Sequence, residues 1–196
     1  MESFRRHTGT AAIYLDDHVD TDRIIPARFL SRIERAGYGE LLFTDVRGEG
    51  FPLDEPAARG ATILVVGTNF GCGSSREHAV WAIQQAGFRV VIARTESDSP
   101  GFSDIFRQNA ANNGLLLIDL EPEPHRIVSQ VGVGGQLTID LEANVIQVAS
   151  EVIPFQINEA NRQAILEGRD LIGTTLLLDS QISEYEKNSR SYVPRA

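Results

Sequence analysis

Short apolar runs separated by polar turns alternate along the chain with stretches of helical spacing. Four of these runs predict strands, at residues 10–16, 61–67, 89–94 and 115–119, and the last three have the composition of buried strands. Helical spacing covers residues 75–86 and 104–112, and Gly87 and Gly114 follow as helix stops. Strand, helix and strand joined by short connections form a βαβ unit, which predicts neighbouring parallel strands.

The C-terminal half has a different pattern. Residues 136–141 and 145–149 alternate between apolar and polar positions, and the short connection between them predicts an antiparallel hairpin. A helix is predicted over 158–167, before Gly168, and a further helix begins a C-terminal helical extension at about 179–196. The sequence therefore predicts an α/β fold with mixed parallel and antiparallel strands, as a single domain over residues 1–196.

Composition removes several classes of function. The chain has 196 residues, with 18 Lys and Arg against 27 Asp and Glu, a net charge of −9. This acidity argues against a nucleic-acid partner, which requires a basic face. The single cysteine, Cys72, cannot form an internal disulfide or hold an iron–sulfur cluster alone. No run approaches the roughly 18 apolar residues of a membrane span, and no signal core is visible, so we expect a cytoplasmic location without a membrane partner.

The most informative segment is GCGSSREH, residues 71–78, between an apolar strand and a helix. Gly71 and Gly73 allow a tight turn and the close approach of a ligand to backbone N–H groups. The helix start presents unpaired N–H donors with a partial positive charge. Arg76 adds a planar guanidinium suited to a carboxylate or a phosphate. Together these features indicate an anion site.

The same segment also has a purely structural interpretation. Ser74 and Glu77 have the spacing of a capping box, with Ser74 as the N-cap and Glu77 three residues later. The segment lacks the signatures of a Walker loop, a dinucleotide fingerprint and a hydrolase nucleophile elbow. A plain cap and an anion site both remain open from the local residues alone.

A second polar cluster, DDHVDTDR at residues 16–23, lies between the first strand and Pro26. A solvated acidic loop explains it, unless the fold brings one of its carboxylates to Arg76, where it would orient the guanidinium. Pro26 predicts a helix over about 27–36 that ends at Gly37.

The two clusters in combination closely resemble the small subunits of 3-isopropylmalate dehydratase, a family of the aconitase superfamily. The resemblance rests on DTDRIIP at residues 20–26 and NFGCGSSREHA at residues 69–79. Nearly the whole chain takes part, since further agreeing segments are FTDVR at 43–47, SDIF at 103–106, NNGLL at 112–116 and DLIGTTL at 170–176. The resemblance implies the swivelling β/β/α domain of the aconitase type.

The family's reaction, as the resemblance implies it, converts 2-isopropylmalate to 3-isopropylmalate by dehydration and rehydration in leucine biosynthesis. The resemblance also implies a large subunit as partner, in a heterodimer or heterotetramer. That subunit would hold a [4Fe–4S] cluster by three cysteines, while this chain would bind no metal or cofactor itself. The substrate is a small dicarboxylate.

Residue roles follow from the matched motifs. Ser74 corresponds to the family's catalytic base, and Ser75 and Arg76 to its substrate-carboxylate contacts. Thr21 and Asp22 match the family's site loop and are expected in substrate binding. For a further substrate arginine, the spacing favours Arg28, although Arg23 and Arg32 lie nearby. Support of the turn and the helix start is assigned to Gly71, Gly73 and Glu77.

Two alternatives remain open. In the first alternative, the enzyme class is the same but the substrate is citramalate or homocitrate. Against it, the segment 26–38 contains Phe29, Leu30 and Ile33, which suit an apolar isopropyl group. The second is a non-catalytic anion-binding domain, which the intact Ser-Ser-Arg sequence disfavours. The one departure from the family is the loop 95–102, TESDSPGF, which is longer and more acidic than expected.

Overall fold

The computed structural model describes residues 1–31, 34–74 and 76–188. The predictions made for Ser75, Arg32 and Ile33 therefore fall outside the described residues. The strands are β1 (Arg6–Tyr14), β2 (Ile63–Val66), β3 (Val90–Arg94), β4 (Leu116–Leu120), β5 (Gln136–Asp140), β6 (Val145–Val148) and β7 (Glu151–Pro154). They form one sheet in the order β4-β3-β2-β1-β5-β6-β7.

The helices occupy the connections and the C-terminal part of the described chain. They are α1 (Thr21–Ile24), α2 (Glu77–Gln85), α3 (Asp104–Asn113), α4 (Pro122–Ser129), α5 (Glu159–Glu167), α6 (Leu171–Leu176) and α7 (Asp179–Asn188). Ser103 accepts a hydrogen bond from the N–H of Phe106 at the start of α3, and Gly114 and Gly168 end α3 and α5 in the left-handed conformation. These are the boundaries that the sequence signals predicted.

The mixed character of the sheet comes from β1, which pairs differently along its length. Its second half pairs in parallel with β2, from Ala11 opposite Ile63 to Tyr14 opposite Val66. Its first half pairs antiparallel with β5. The strands β2, β3 and β4 continue in parallel, while β5, β6 and β7 are antiparallel. The predicted βαβ arrangement and the predicted hairpin are both confirmed.

Both faces of the parallel half are buried, which explains its continuous apolar runs. Leu64 and Val66 point towards α2 and α3 in one apolar cluster. Ile63 and Val65 point to the other side, where β5 to β7, α4 and α5 complete a second cluster. Beyond β7, residue Gln156 forms an isolated bridge with Asp119 of β4, so the sheet curls until its two edges approach each other.

The parallel strands all end at the same edge of the sheet. The chain leaves β1, β2 and β3 there through residues 15–20, 67–76 and 95–103. In open α/β sheets, the carboxyl ends of parallel strands are the usual place for a ligand site. Both polar clusters of the sequence lie at this edge.

The helix predicted over 27–36 is wrong in extent. The described residues there form only a 3-10 turn, Ala27–Phe29, which Pro26 precedes in an extended conformation. Residues 34–38 are not helical. The N–H of Tyr38, just beyond the predicted stretch, donates to the side chain of Gln85 in α2. The Gln85 side chain also donates to the carbonyl of Arg35, so the described end of the stretch is attached to α2.

Helices α1, α4 and α6 and strand β7 were not predicted. Helix α4 begins with Pro122 at its first position, where the missing N–H costs nothing. Helix α7 lies within the predicted extension 179–196 and leaves Ile182 and Tyr185 exposed. The division of the chain into one domain with this extension stays a prediction. Over the part of the chain that is described, no helix has the length and apolarity required to cross a membrane.

Candidate active site

The two polar clusters of the sequence meet at the carboxyl edge of the sheet. The N–H of Gly71 donates to the carbonyl of Val19 at 2.8 Å, and the N–H of Thr21 donates to the carbonyl of Cys72 at 3.1 Å. The Thr21 hydroxyl, in a side chain only 1% exposed, donates to the carbonyl of Ser74 at 2.6 Å. Three hydrogen bonds therefore fix the loop before α1 against the glycine–serine turn.

The turn at residues 71–74 depends on two glycines in left-handed backbone conformations. The φ angle is +75° at Gly71 and +83° at Gly73. A Cβ added at Gly71 would lie 2.4 Å from the Phe106 ring, whereas one at Gly73 would only touch Asp20 at 3.4 Å. Both positions favour glycine for φ, but Gly71 alone is also packed against a buried ring.

This difference predicts unequal effects of alanine at the two positions. We expect Gly71→Ala to lower the free energy of unfolding by about 2–4 kcal/mol, because overpacking adds to the left-handed strain. The matched variant Gly73→Ala bears only the conformational cost, about 1 kcal/mol. Urea unfolding of both variants measures the difference, and equal losses would contradict the packing explanation.

The loop 95–102 supports the turn through backbone hydrogen bonds. The carbonyl of Pro100 accepts from the N–H of Asn69, and that of Gly101 accepts from the N–H of Phe70, both at 2.8 Å. Next to it, the Ser103 hydroxyl donates to the carbonyl of Gly71 at 2.6 Å. Ser103 thus caps α3 and holds the turn at once.

Arg76 and Asp22 form an ion pair across the two clusters. The Arg76 side chain is only 14% exposed, whereas Asp22 is 51% exposed. The hydrogen bond from Arg76 lowers the pKa of the Asp22 carboxyl, which also accepts from the N–H of Ala27 at 3.2 Å. Because a guanidinium has five N–H donors, this pair leaves donors of Arg76 for a second carboxylate.

The predicted capping box does not form. Helix α2 begins at Glu77 with Arg76 as its N-cap, in an extended conformation and without a side-chain cap bond. Ser74 therefore lies two residues before the N-cap, and Glu77 accepts instead from the side chain of Asn113 at 2.8 Å. Ser74 is exposed, and no described residue makes a hydrogen bond to its hydroxyl. Its side chain is thus available for chemistry.

Arg28, the predicted additional substrate arginine, lies on the surface. Its guanidinium pairs with Asp45 through both nitrogens and lies 4.6 Å from the centre of the Phe29 ring. The alternative Arg23 donates to the Asp16 carboxylate and to the Tyr14 hydroxyl, each at 2.7 Å. Arg28 therefore makes its ion pair away from the turn, whereas Arg23 lies near enough to the turn for its charge to act on the pKa of the Cys72 thiol.

Sequence reasoning missed several residues that shape the site. His18 and Asn69 both have left-handed backbones, with φ of +54° and +52°, and their side chains meet at 3.1 Å. His125 is buried, and burial lowers the pKa of its ring. Its Nε2 donates to the carbonyl of Val66, the last residue of β2, at 2.8 Å. His18 and Asn69 lie inside the two quoted motifs, but neither they nor His125 could be given a role from the sequence, because each acts through a distant partner.

The side chains of the described residues fit a metal cofactor poorly. Among the described residues, no group of three or more His, Cys, Asp or Glu side chains is placed to hold a metal ion. The chain's one cysteine, Cys72, has a thiol whose pKa is raised by burial and by the nearby Asp20 carboxylate. A thiol of raised pKa is a weak ligand and a weak nucleophile at neutral pH.

Comparison with known proteins agrees with this geometry. Residues 1–123 match the family model of the aconitase C-terminal domain. The chain is 42% identical over 199 residues to the 3-isopropylmalate dehydratase small subunit of Bacillus cereus (strain AH820), covering 98% of this chain and 100% of that protein. The corresponding protein of Bacillus anthracis (strain CDC 684 / NRRL 3495) gives the same values. The chain belongs to the family of 3-isopropylmalate dehydratase small subunits.

A solved structure of the same family confirms the fold class. The crystal structure of 3-isopropylmalate dehydratase (leuD) from Methanocaldococcus jannaschii superimposes with a TM-score of 0.65 at 30% identity. The match covers 93% of this chain and 99% of that chain. The α/β fold of the aconitase type and the family assignment drawn from the sequence motifs are both confirmed.

Proposed function

We propose that this chain is the subunit of an isopropylmalate dehydratase that supplies the serine base and the carboxylate contacts. The observation that carries the proposal is the contact between the two clusters, which places the exposed Ser74 in a turn that Thr21 holds and Arg76 follows. The reaction converts 2-isopropylmalate to 3-isopropylmalate through an alkene, as a step of leucine biosynthesis. The cytoplasmic location stays a prediction from the sequence.

The dehydration removes a proton from the carbon next to a carboxylate while hydroxide leaves the neighbouring carbon. In this proposal the Ser74 oxygen, as an alkoxide, takes that proton and becomes a hydroxyl. A free serine is a poor base, so the alkoxide requires stabilisation by nearby N–H donors and positive charge. We assign both to the start of α2 at Glu77 and to the guanidinium of Arg76, which follow Ser74 within three residues of the chain.

The substrate's carboxylates require positive partners in a chain of net charge −9. Arg76 is suited to this role, because Asp22 holds its guanidinium in place and leaves donors for a ligand. Ser75 is proposed as a further donor to the carboxylate on the strength of the family motif. Thr21 is buried and its hydroxyl proton is already bound, so we assign it to holding the turn.

A large subunit completes the proposed enzyme. A single cysteine in the sequence, with no metal-ligand group among the described residues, does not fit a [4Fe–4S] cluster. We therefore assign the cluster to the large subunit, where it would supply Lewis-acid chemistry at the leaving hydroxyl. An active site formed by residues of both subunits is compatible with a heterodimer and with a heterotetramer.

Mixing the subunits tests the proposal directly. The isolated chain is expected to show no dehydration of 2-isopropylmalate, and activity is expected to appear when the cluster-loaded large subunit is added. The ultraviolet absorbance of the unsaturated intermediate measures the reaction. Turnover by the isolated, metal-free chain would contradict the divided site, and an assembled but inactive complex would contradict the assignment as a dehydratase.

The same mixture decides between substrates. Phe29 and Leu30 are only partly exposed after Pro26 and suit an alkyl group, which favours isopropylmalate over the more polar homocitrate. A panel of isopropylmalate, citramalate and homocitrate, compared by kcat/KM, ranks the alternatives.

A further inference from the structure

The end of the segment 26–38 is attached to helix α2 by one glutamine side chain. The Gln85 amide nitrogen donates to the carbonyl of Arg35 at 2.6 Å, and its amide oxygen accepts from the N–H of Tyr38 at 2.9 Å. One side chain therefore satisfies two backbone groups at the end of the segment, where the described residues 34–38 are not helical. Gln85 is the last residue of α2.

Aromatic and backbone contacts strengthen the same attachment. The Arg35 guanidinium lies 4.7 Å from the centre of the Trp81 ring, a cation–π distance. The fully buried Tyr38 ring meets Trp81 edge-on at 5.7 Å. At Gly39, an added Cβ would lie 2.5 Å from the Gln85 carbonyl, so this close backbone approach requires glycine. The contact is specific in shape as well as in hydrogen bonding.

Helix α2 thus holds the segment at both ends. At the N-terminal end of the helix, Arg76 pairs with Asp22, whose carboxylate accepts from the N–H of Ala27. At the C-terminal end, Gln85 holds residues 35–38. A short α-helix is a rigid spacer of 1.5 Å per residue. The segment is therefore placed relative to the carboxylate anchor by a single rigid element.

We propose that Gln85 is a positioning residue for substrate selectivity, acting through the described part of the segment 26–38, whose half-buried Phe29 and Leu30 the proposed function assigns to the substrate's alkyl branch. The proposal rests on the proposed function for the identity of the substrate. Loss of the Gln85 amide would release the far end of the segment and leave Ser74 and Arg76 untouched. We therefore expect weaker binding of the alkyl branch and an unchanged rate of the chemical step.

The test compares two isosteric variants of adjacent glutamines in the assembled enzyme. Gln85→Met removes both hydrogen bonds, whereas Gln84→Met removes a bond to the carbonyl of Asn113 and serves as the matched control. We expect Gln85→Met to raise the KM for isopropylmalate about tenfold, with kcat within about threefold. The inhibition constant of malate, which lacks the alkyl branch, is expected to change by less than about threefold. Equal changes for both ligands, or no change, would overturn the proposal.

A second readout does not depend on activity. Trp81 is the only tryptophan of the chain, so its fluorescence in the isolated subunit reports the attachment. Gln85→Met and Gly39→Ala are each expected to increase acrylamide quenching of Trp81, and Gln84→Met is not. Unchanged quenching in both variants would overturn the attachment itself. A wild-type complex that is inactive on isopropylmalate would instead refute the proposed function and leave this measurement intact.

Discussion

Replacing Ser74 by alanine is expected to lower kcat of the assembled enzyme by about 10²–10⁴-fold, the range for loss of a general base. The Ser74 hydroxyl is exposed and has no hydrogen-bond partner among the described residues. The hydrogen bond from Thr21 goes to the Ser74 backbone carbonyl, so alanine keeps that contact. The turnover of isopropylmalate with an excess of large subunit measures the loss, and thermal melting checks that the fold is retained.

Cys72→Ala is the matched control, because it removes another small polar group from the same turn. The raised pKa of the Cys72 thiol keeps it protonated at neutral pH, so we expect kcat within about threefold of the wild type. A near-normal kcat for Ser74→Ala would remove Ser74 from the chemistry. Equal losses in the two variants would trace the effect to the shape of the turn.

The parallel half of the fold was predictable because its signals are local. Continuous apolar runs mark strands buried on both faces, and Gly87 and Gly114 mark the ends of the helices between them. The antiparallel hairpin was equally clear from its alternation. Helix α4 was missed because the prolines at 122 and 124 suggest a break, although a proline is compatible with the first turn of a helix.

The site was predictable only in part, since its geometry comes from contacts between distant segments. The sequence motifs predict roles for Ser74 and Arg76, whereas the local capping pattern predicted the wrong helix start. Arg76, and not Ser74, is the N-cap of α2, and its side chain pairs with Asp22. The Glu77 carboxylate accepts a hydrogen bond from Asn113 instead of capping the helix. Tertiary pairing prevailed over a local cap worth about 1 kcal/mol.

Arg76→Lys is expected to lower kcat/KM for isopropylmalate by about 30–1,000-fold, which corresponds to about 2–4 kcal/mol. Lysine keeps the charge but lacks the planar fork that binds Asp22 and a substrate carboxylate together. The Arg76 side chain is 14% exposed, so little solvent screens the lost interactions. If Arg76 also stabilises the Ser74 alkoxide, the loss appears in kcat as well as in KM.

Arg107→Lys provides the comparison that separates recognition from stability. Arg107 pairs through both nitrogens with Asp119 of β4, and its side chain is 33% exposed. The same chemical change there is expected to lower the melting temperature slightly and to leave kcat/KM within about threefold. A normal KM and kcat for Arg76→Lys would show that a point charge suffices at this position. The ability of the planar Arg76 guanidinium to contact Asp22 and a substrate carboxylate together would then have no part in catalysis.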